Sequence, residues 1–351
     1  MALLTNTTKK TINVLIVDDS AIVRKVIKAE LEKHNDINVV GVAPDPYIAR
    51  DKILKLKPDV ITLDVEMPRM DGITFLKKLM ASHPIPTIVI SSVTPAGGEM
   101  ALEALDAGAV DVLCKPSDAY SVGQLGKDII QKVRAASLAR LQPIKSYKKV
   151  STKQTSLKQT TNKIIAIGAS TGGVDALCRV ITKMPALSPG ILIVQHMPAQ
   201  FTSSFAQRLN GISQMDVKEA VNGDSVLNGQ VLLAPGGYHM VLKRSGAKYY
   251  VEVKRGPQVC HQCPSVEVLF HSVSQIAGAN SIGVMLTGMG DDGAKAMVEL
   301  HNNGAKTIAQ DEKSCVVFGM PKRAIELGAA DHICSLDDIA QKITLIAKRM
   351  G

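Results

Sequence analysis

Three short apolar runs, each delivering a chemistry-bearing residue at its carboxyl end, constrain this chain more than any other feature. Residues 164–167 lead into Gly168-Ala169-Ser170-Thr171-Gly172-Gly173, residues 191–194 into Gln195-His196, and residues 282–286 into Thr287-Gly288-Met289-Gly290-Asp291-Asp292-Gly293. Runs of this kind read as strands of a parallel sheet buried on both faces, and open α/β sheets bind ligands beyond the carboxyl ends of their strands. A serine, an imidazole and a carboxylate delivered to one rim suit nucleophilic hydrolysis.

The length of 351 residues exceeds what one hydrophobic core usually serves, so two domains are expected. The core must be aliphatic, because Trp is absent. No apolar run approaches the roughly 20 residues of a membrane span, and the first ten residues hold no apolar stretch of signal-peptide length. A cytoplasmic protein is the expectation. Six scattered cysteines fit a reducing compartment better than a disulfide framework. Cys260-His261-Gln262-Cys263 has a zinc-like spacing, yet no second Cys pair completes four ligands, and a structural zinc is the lesser reading.

The net charge of +9 looks like a nucleic-acid signal until it is located. Lys132, Arg134, Arg140, Lys145, Lys148, Lys149, Lys153, Lys158 and Lys163 fall in one stretch without an acid, and they equal the whole excess. Within it, residues from about 140 to 162 are rich in Lys, Ser, Thr and Gln and lack apolar periodicity, as tethers do. A basic linker over residues 136–162 therefore separates domains at 1–135 and 163–351. No compact carboxy-terminal helical module is present to make the charge a DNA-binding output.

The first domain alternates strand-like residues 13–17, 39–42, 60–63, 87–90 and 110–113 with helix-compatible stretches such as 21–33, 73–80 and 99–107. The second repeats the logic with strands at 164–167, 191–194, 282–286 and 307–309, and a β-rich insertion is expected around 231–233, 240–242 and 249–253. The fold class is α/β, two doubly wound parallel-sheet domains, the second Rossmann-like with the insertion.

In the first domain Asp18 and Asp19 follow the first strand, Asp64 the third, Ser91 the fourth and Lys115 the fifth, all at one sheet edge. Three converging carboxylates repel unless a divalent cation neutralises them, and an all-oxygen donor set suits Mg²⁺. Taken singly, each aspartate reads as a cap or turn residue. Together, Val17-Asp18-Asp19-Ser20, the stretch from Leu63-Asp64 to Asp71-Gly72, and Cys114-Lys115-Pro116 resemble the response-regulator receiver family. The resemblance implies Asp64 as phosphoacceptor, Asp18 and Asp19 with Asp64 as Mg²⁺ ligands, and Ser91 with Lys115 as the switch pair. Val112 stands where many receivers place an aromatic switch residue.

In the second domain Ser170 sits in a literal G-x-S-x-G in the strand-to-helix setting of a nucleophile elbow. The spacing is neither G-x-G-x-x-G nor a Walker loop, which sets nucleotide binding aside. Of eight histidines only His196 follows a buried-strand pattern at the same rim; His239 is the runner-up as base, and His34, His83, His301 and His332 read as surface or packing residues. Asp291 and Asp292 both follow the third run, and spacing does not choose between them.

These motifs, with Met197-Pro198, Ala234-Pro235-Gly236-Gly237-Tyr238-His239, the stretch from Pro264-Ser265 to Leu269-Phe270, and Phe318-Gly319-Met320-Pro321, are similar to the chemotaxis protein-glutamate methylesterase family. There the aspartate before the glycine is the triad member, which points to Asp292. The resemblance implies hydrolysis of receptor glutamate γ-methyl esters and deamidation of receptor glutamines, with no cofactor for the hydrolysis. It also implies phosphate from the chemotaxis histidine kinase and methyl-accepting chemoreceptors as partners, with neither nucleic acid nor membrane insertion. The unphosphorylated receiver is expected to pack over the catalytic rim until phosphorylation loosens it. The alternatives are a general small-ester hydrolase and a phosphorylation-dependent binding module with weak or no esterase activity.

Overall fold

The computed structural model describes residues 11–92, 94–115, 119–141 and 162–350. These fall into two compact units, one built from residues up to 92 together with 107–141, the other from 94–106 and the residues from 162 onward. Most of the expected linker, residues 142–161, lies outside the described residues, as does Pro116 of the third receiver-like motif.

The first stretch of chain alternates as its apolar pattern predicts: β1 (Ile12–Val17), α1 (Ala21–Leu31), β2 (Ile37–Ala43), α2 (Pro46–Leu56), β3 (Val60–Asp64), α3 (Gly72–Ser82), β4 (Thr87–Ser91), α4 (Pro95–Asp106), β5 (Asp111–Cys114) and α5 (Ala119–Ser137). The five strands form one parallel sheet in the order β2-β1-β3-β4-β5. The chain leaves β1 to one side and reaches β3 on the other, so the crevice between their carboxyl ends is the switch point where ligands of this architecture sit. Helix starts follow the local rules: Ser20, Asp45 and Asp71 each cap the next helix by accepting its free N–H groups. Helix α5 runs to Ser137 with Ala135 and Ala136 fully buried, two residues into the segment expected as tether.

The second unit continues with β6 (Ile164–Ala169), α6 (Gly173–Ile181), β7 (Gly190–Gln195), α7 (Ala199–Ile212), β8 (Asp216–Glu219), β9 (Gln230–Leu233), β10 (His239–Ser245) and β11 (Lys248–Lys254). It closes with α8 (Val266–Ile276), β12 (Ser281–Met285), α9 (Ala294–Asn302), β13 (Lys306–Gln310), α10 (Met320–Glu326), β14 (His332–Cys334) and α11 (Ile339–Arg349). Seven strands make a parallel sheet ordered β14-β13-β12-β6-β7-β9-β8. Every residue of β6, β7 and β12 is buried, as expected for a sheet covered on both faces.

The insertion is smaller than the sequence suggested. Residues 231–233 pair in parallel with β7 and β8 inside the main sheet, and the insertion is the antiparallel hairpin β10–β11 alone. Its apolar face, Met240, Leu242, Tyr249 and Val251, joins a core shared with Val266, Leu269, Phe270 and Val273 of α8. Those four positions follow the i, i+3, i+4, i+7 stripe of an amphipathic helix. Among the described residues no helix is long and apolar enough to cross a membrane.

One close approach sets the end of β3. Gly72 donates its N–H to the Val65 carbonyl at 2.9 Å, and a Cβ there would come within 2.0 Å of the Asp64 carbonyl oxygen. Substituting Gly72→Ala is expected to lower the first unit's stability by about 1–3 kcal/mol, read as an earlier thermal transition.

Candidate functional site

The second unit brings the three predicted runs together side by side. β6 lies between β7 and β12, with Ala169 in register with Gln195 and Met285 with Gly168. Ser170, His196 and Asp292 therefore leave three adjacent strands at one carboxyl edge, flanking the switch point.

Cross-links hold the rim. Ser170 donates its N–H to the Thr287 carbonyl at 3.0 Å, and His196 donates its N–H to the Ala169 carbonyl at 3.1 Å. The Gln195 amide donates to the carbonyls of Ser170 (2.9 Å) and His196 (3.1 Å), binding both turns to one side chain. Gly288 packs against the nucleophile turn so tightly that a Cβ would lie 2.7 Å from the Ser170 Cβ.

The imidazole and carboxylate meet directly. His196 Nε2 and Asp292 Oδ2 are 2.7 Å apart, and both side chains are buried. A carboxylate only accepts, so Nε2 carries a hydrogen, and in the neutral imidazole Nδ1 keeps the lone pair. Nδ1 is buried and makes no hydrogen bond with any described residue, Ser170 included. The arrangement leaves one basic nitrogen uncommitted on the strand next to the serine.

Asp292 is itself cradled at the start of α8. Ser265, the N-cap, donates its hydroxyl to Oδ1 at 2.7 Å; Val266 N–H donates to Oδ2 at 2.7 Å and Glu267 N–H to Oδ1 at 3.0 Å. Burial works to raise this carboxyl, but His196, Ser265 and the Glu267 backbone outweigh it and hold the group below the usual carboxylate range. Asp291, which spacing left level with Asp292, is exposed; its carbonyl accepts from Ala294 N–H at the start of α9.

His239 is buried but does not join the three. Its ring lies between the Pro257 carbonyl and the Ser265 N–H, at 2.9 and 3.3 Å. The Cys260–Cys263 stretch is a tight turn in which Val259 and Gln262 exchange backbone hydrogen bonds, with Cys260 and His261 both at positive φ (51° and 62°). Neither cysteine joins a metal-holding group among the described residues. Burial, then the nearby Asp292, Glu267 and Asp291 carboxylates, push the Cys260 thiol up to about 11.

Sequence reasoning assigned no role to Ser265, Gln195 or Thr287. Ser265 before an apolar helix was a legible N-cap signal; that its free face would turn to Asp292 was not.

The first unit gathers its predicted residues at the β1/β3 crevice. Asp18, Asp19 and Asp64 can each offer a carboxylate oxygen, all within 4.8 Å of one another. Lys115 Nζ donates to Asp64 Oδ2 at 2.6 Å and lies 3.8 Å from Asp18 Oδ2. Burial, opposed by the Lys115 hydrogen bond and abetted by Asp18, pushes the Asp64 carboxyl up to about 6; burial also raises Asp18. Asp18 Oδ2 is buried with no hydrogen-bond partner, and such an orphaned oxygen beside two other carboxylates fits a hard divalent cation. Ser91, buried at the end of β4, has its carbonyl bonded by Lys115 N–H at 2.8 Å. Val112 is buried within β5.

The cradle predicts a contrast between neighbouring aspartates. Asp292→Ala strands a buried imidazole N–H, a hydroxyl and two backbone donors, and should cost about 3–5 kcal/mol. Asp291→Ala should stay within about 0.5 kcal/mol of wild type. Denaturant dependence of hydrogen exchange in α8 measures both.

Comparisons with known proteins bear on both parts of the chain. The CheB methylesterase family model matches residues 165–343, and the response regulator receiver domain model matches residues 14–124. The chain is 58% identical, over 95% of its length and 98% of the relative's, to protein-glutamate methylesterase/protein-glutamine glutaminase 2 of Syntrophus aciditrophicus. It is 54% identical, over 97% of its length and 96% of the relative's, to number 4 of the same name in Anaeromyxobacter dehalogenans. The crystal structure of the Thermotoga maritima CheB methylesterase catalytic domain superposes with a TM-score of 0.52 at 38% identity, covering 53% of this chain and all of that one. The chain belongs to the CheB methylesterase family and carries an amino-terminal response regulator receiver domain.

Proposed function

We propose that this protein is a phosphorylation-regulated protein-glutamate methylesterase and protein-glutamine glutaminase of chemotaxis, acting on methyl-accepting chemoreceptors in the cytoplasm. The observation that carries the chemistry is the 2.7 Å His196–Asp292 contact, which leaves Nδ1 of a buried imidazole open next to the Ser170 strand.

In this reading Nδ1 takes the Ser170 hydroxyl proton as Oγ attacks the γ-carbonyl of the methylated glutamate. Asp292 stabilises the imidazolium that forms, because its own cradle keeps it ionised. The proton then passes to the departing methoxide, methanol leaves, and an acyl-serine remains. Water, deprotonated by the same nitrogen, releases the glutamate. A glutamine side chain enters the same sequence with ammonia as leaving group.

The receiver runs through the end of α5 at Ser137, the hydrolase occupies 163–351, and the basic stretch between them serves as the tether. Asp64 accepts a phosphoryl group from a chemotaxis histidine kinase, and the added charge of about −1.5 to −2 draws Lys115 and the Ser91 hydroxyl toward it. Asp18, Asp19 and Asp64 would hold Mg²⁺, which when bound offsets the negative charge around the acceptor. The unphosphorylated receiver keeps the hydrolase at low turnover.

Methanol release from methylated receptor membranes tests the whole scheme. Ser170→Ala should abolish it with the fold intact, and Asp64→Ala should keep basal turnover but lose stimulation by a phosphodonor. A fragment of residues 163–351 should outperform the unphosphorylated full chain. Near wild-type turnover in Ser170→Ala removes the nucleophile assignment, and equal rates for fragment and full chain remove the restraint.

A further inference from the structure

The His239 ring makes two hydrogen bonds, and their partners dictate its chemistry. The Pro257 carbonyl, 2.9 Å from Nε2, only accepts. The Ser265 N–H, 3.3 Å from Nδ1, only donates. Both bonds exist together only for a neutral imidazole with its hydrogen on Nε2. Each nitrogen is then occupied, so His239 has none left to serve Ser170 as a base.

The two bonds close a loop. His239 opens β10, directly after the turn in which Gly237 donates its N–H to the Cys263 carbonyl at 3.0 Å. Residues 237–239 thus grip the segment 257–265 at three points, bracketing the Cys260-His261 turn. The ring is packed as well as bonded: a Cβ on Gly256 would lie 3.0 Å from its Cδ2. The segment ends at Ser265, whose hydroxyl donates to Asp292 at 2.7 Å, and Asp292 holds His196 at 2.7 Å. A continuous buried line runs from His239 through Ser265 and Asp292 to His196.

We infer that His239 is a positioning residue of the hydrolytic site, its neutral Nε2–H imidazole clamping the 257–265 segment so that Ser265 meets Asp292. The inference rests on the reading of Ser170, His196 and Asp292 as the hydrolytic triad. A side chain that clamps the segment in this way needs an acceptor facing Ser265 and a donor facing Pro257. Leucine supplies neither. Asparagine restores an acceptor at the position of Nδ1.

The test uses the full chain on methylated receptor membranes, with Ser170→Ala alongside. His239→Leu should lower kcat about tenfold or more at unchanged KM, with unfolding temperature measured in parallel. The low-field proton resonance of the His196–Asp292 bond should shift in that variant. His239→Asn, which keeps the acceptor facing Ser265 but not the donor facing Pro257, should recover part of the rate and move the resonance back toward its wild-type position. A folded His239→Leu with wild-type kcat, or with lowered kcat and an unmoved resonance, overturns the inference. Where His239→Leu does not fold, the ring ¹⁵N shifts of His239 in the wild-type protein decide: a neutral Nε2–H form supports it, and an imidazolium or Nδ1–H form overturns it. Methanol release that survives Ser170→Ala sinks the triad and this inference together. Ser170-dependent release untouched in folded His239→Leu sinks this inference alone.

Discussion

The rim of the second unit depends on one carboxylate placed at the beginning of one helix. A buried aspartate is costly unless its charge is matched, and a helix start is costly unless its first N–H groups find acceptors. Asp292 and α8 answer each other's need: Ser265, Val266 and Glu267 all donate to the carboxylate, which stays ionised beside His196. The helix aims correctly because Leu269, Phe270 and Val273 anchor it in a core shared with the β10–β11 hairpin. Apolar packing, several residues from the chemistry, thereby orients the carboxylate that fixes the imidazole's bonded nitrogen.

The first unit uses the same sheet-edge geometry with the opposite electrostatic outcome. Its three carboxylates face one lysine within bonding reach, and burial leaves Asp64 high rather than low. Such an edge is short of positive charge and suited to a cation and a transferred phosphoryl group. Similar folds carry unrelated chemistry in one chain because each site is decided by which side chains the strand ends deliver.

Much of this was readable without coordinates. Strands such as β6, β7 and β12 announce themselves because a sheet covered on both faces demands unbroken apolar runs. Short edge elements do not: β8 (Asp216–Glu219) is largely polar, and β14 has only three residues, so neither has room for a pattern. Residues 231–233 looked like part of the insertion for a related reason, since a strand as short as the four residues of β9 cannot declare which sheet it pairs with.

The sequence by itself determined the strand–helix alternation, the residue types at each strand end, and the order in which serine, imidazole and carboxylate occur, because these follow from local periodicity and turn chemistry. The resemblance already pointed to Asp292 over Asp291; only the tertiary structure decided that Nε2 rather than Nδ1 of His196 is bonded to it, and that Ser265 and His239 stand behind the carboxylate. Those choices depend on strand order, helix direction and burial, which join residues nearly a hundred positions apart and leave no periodic trace in the chain.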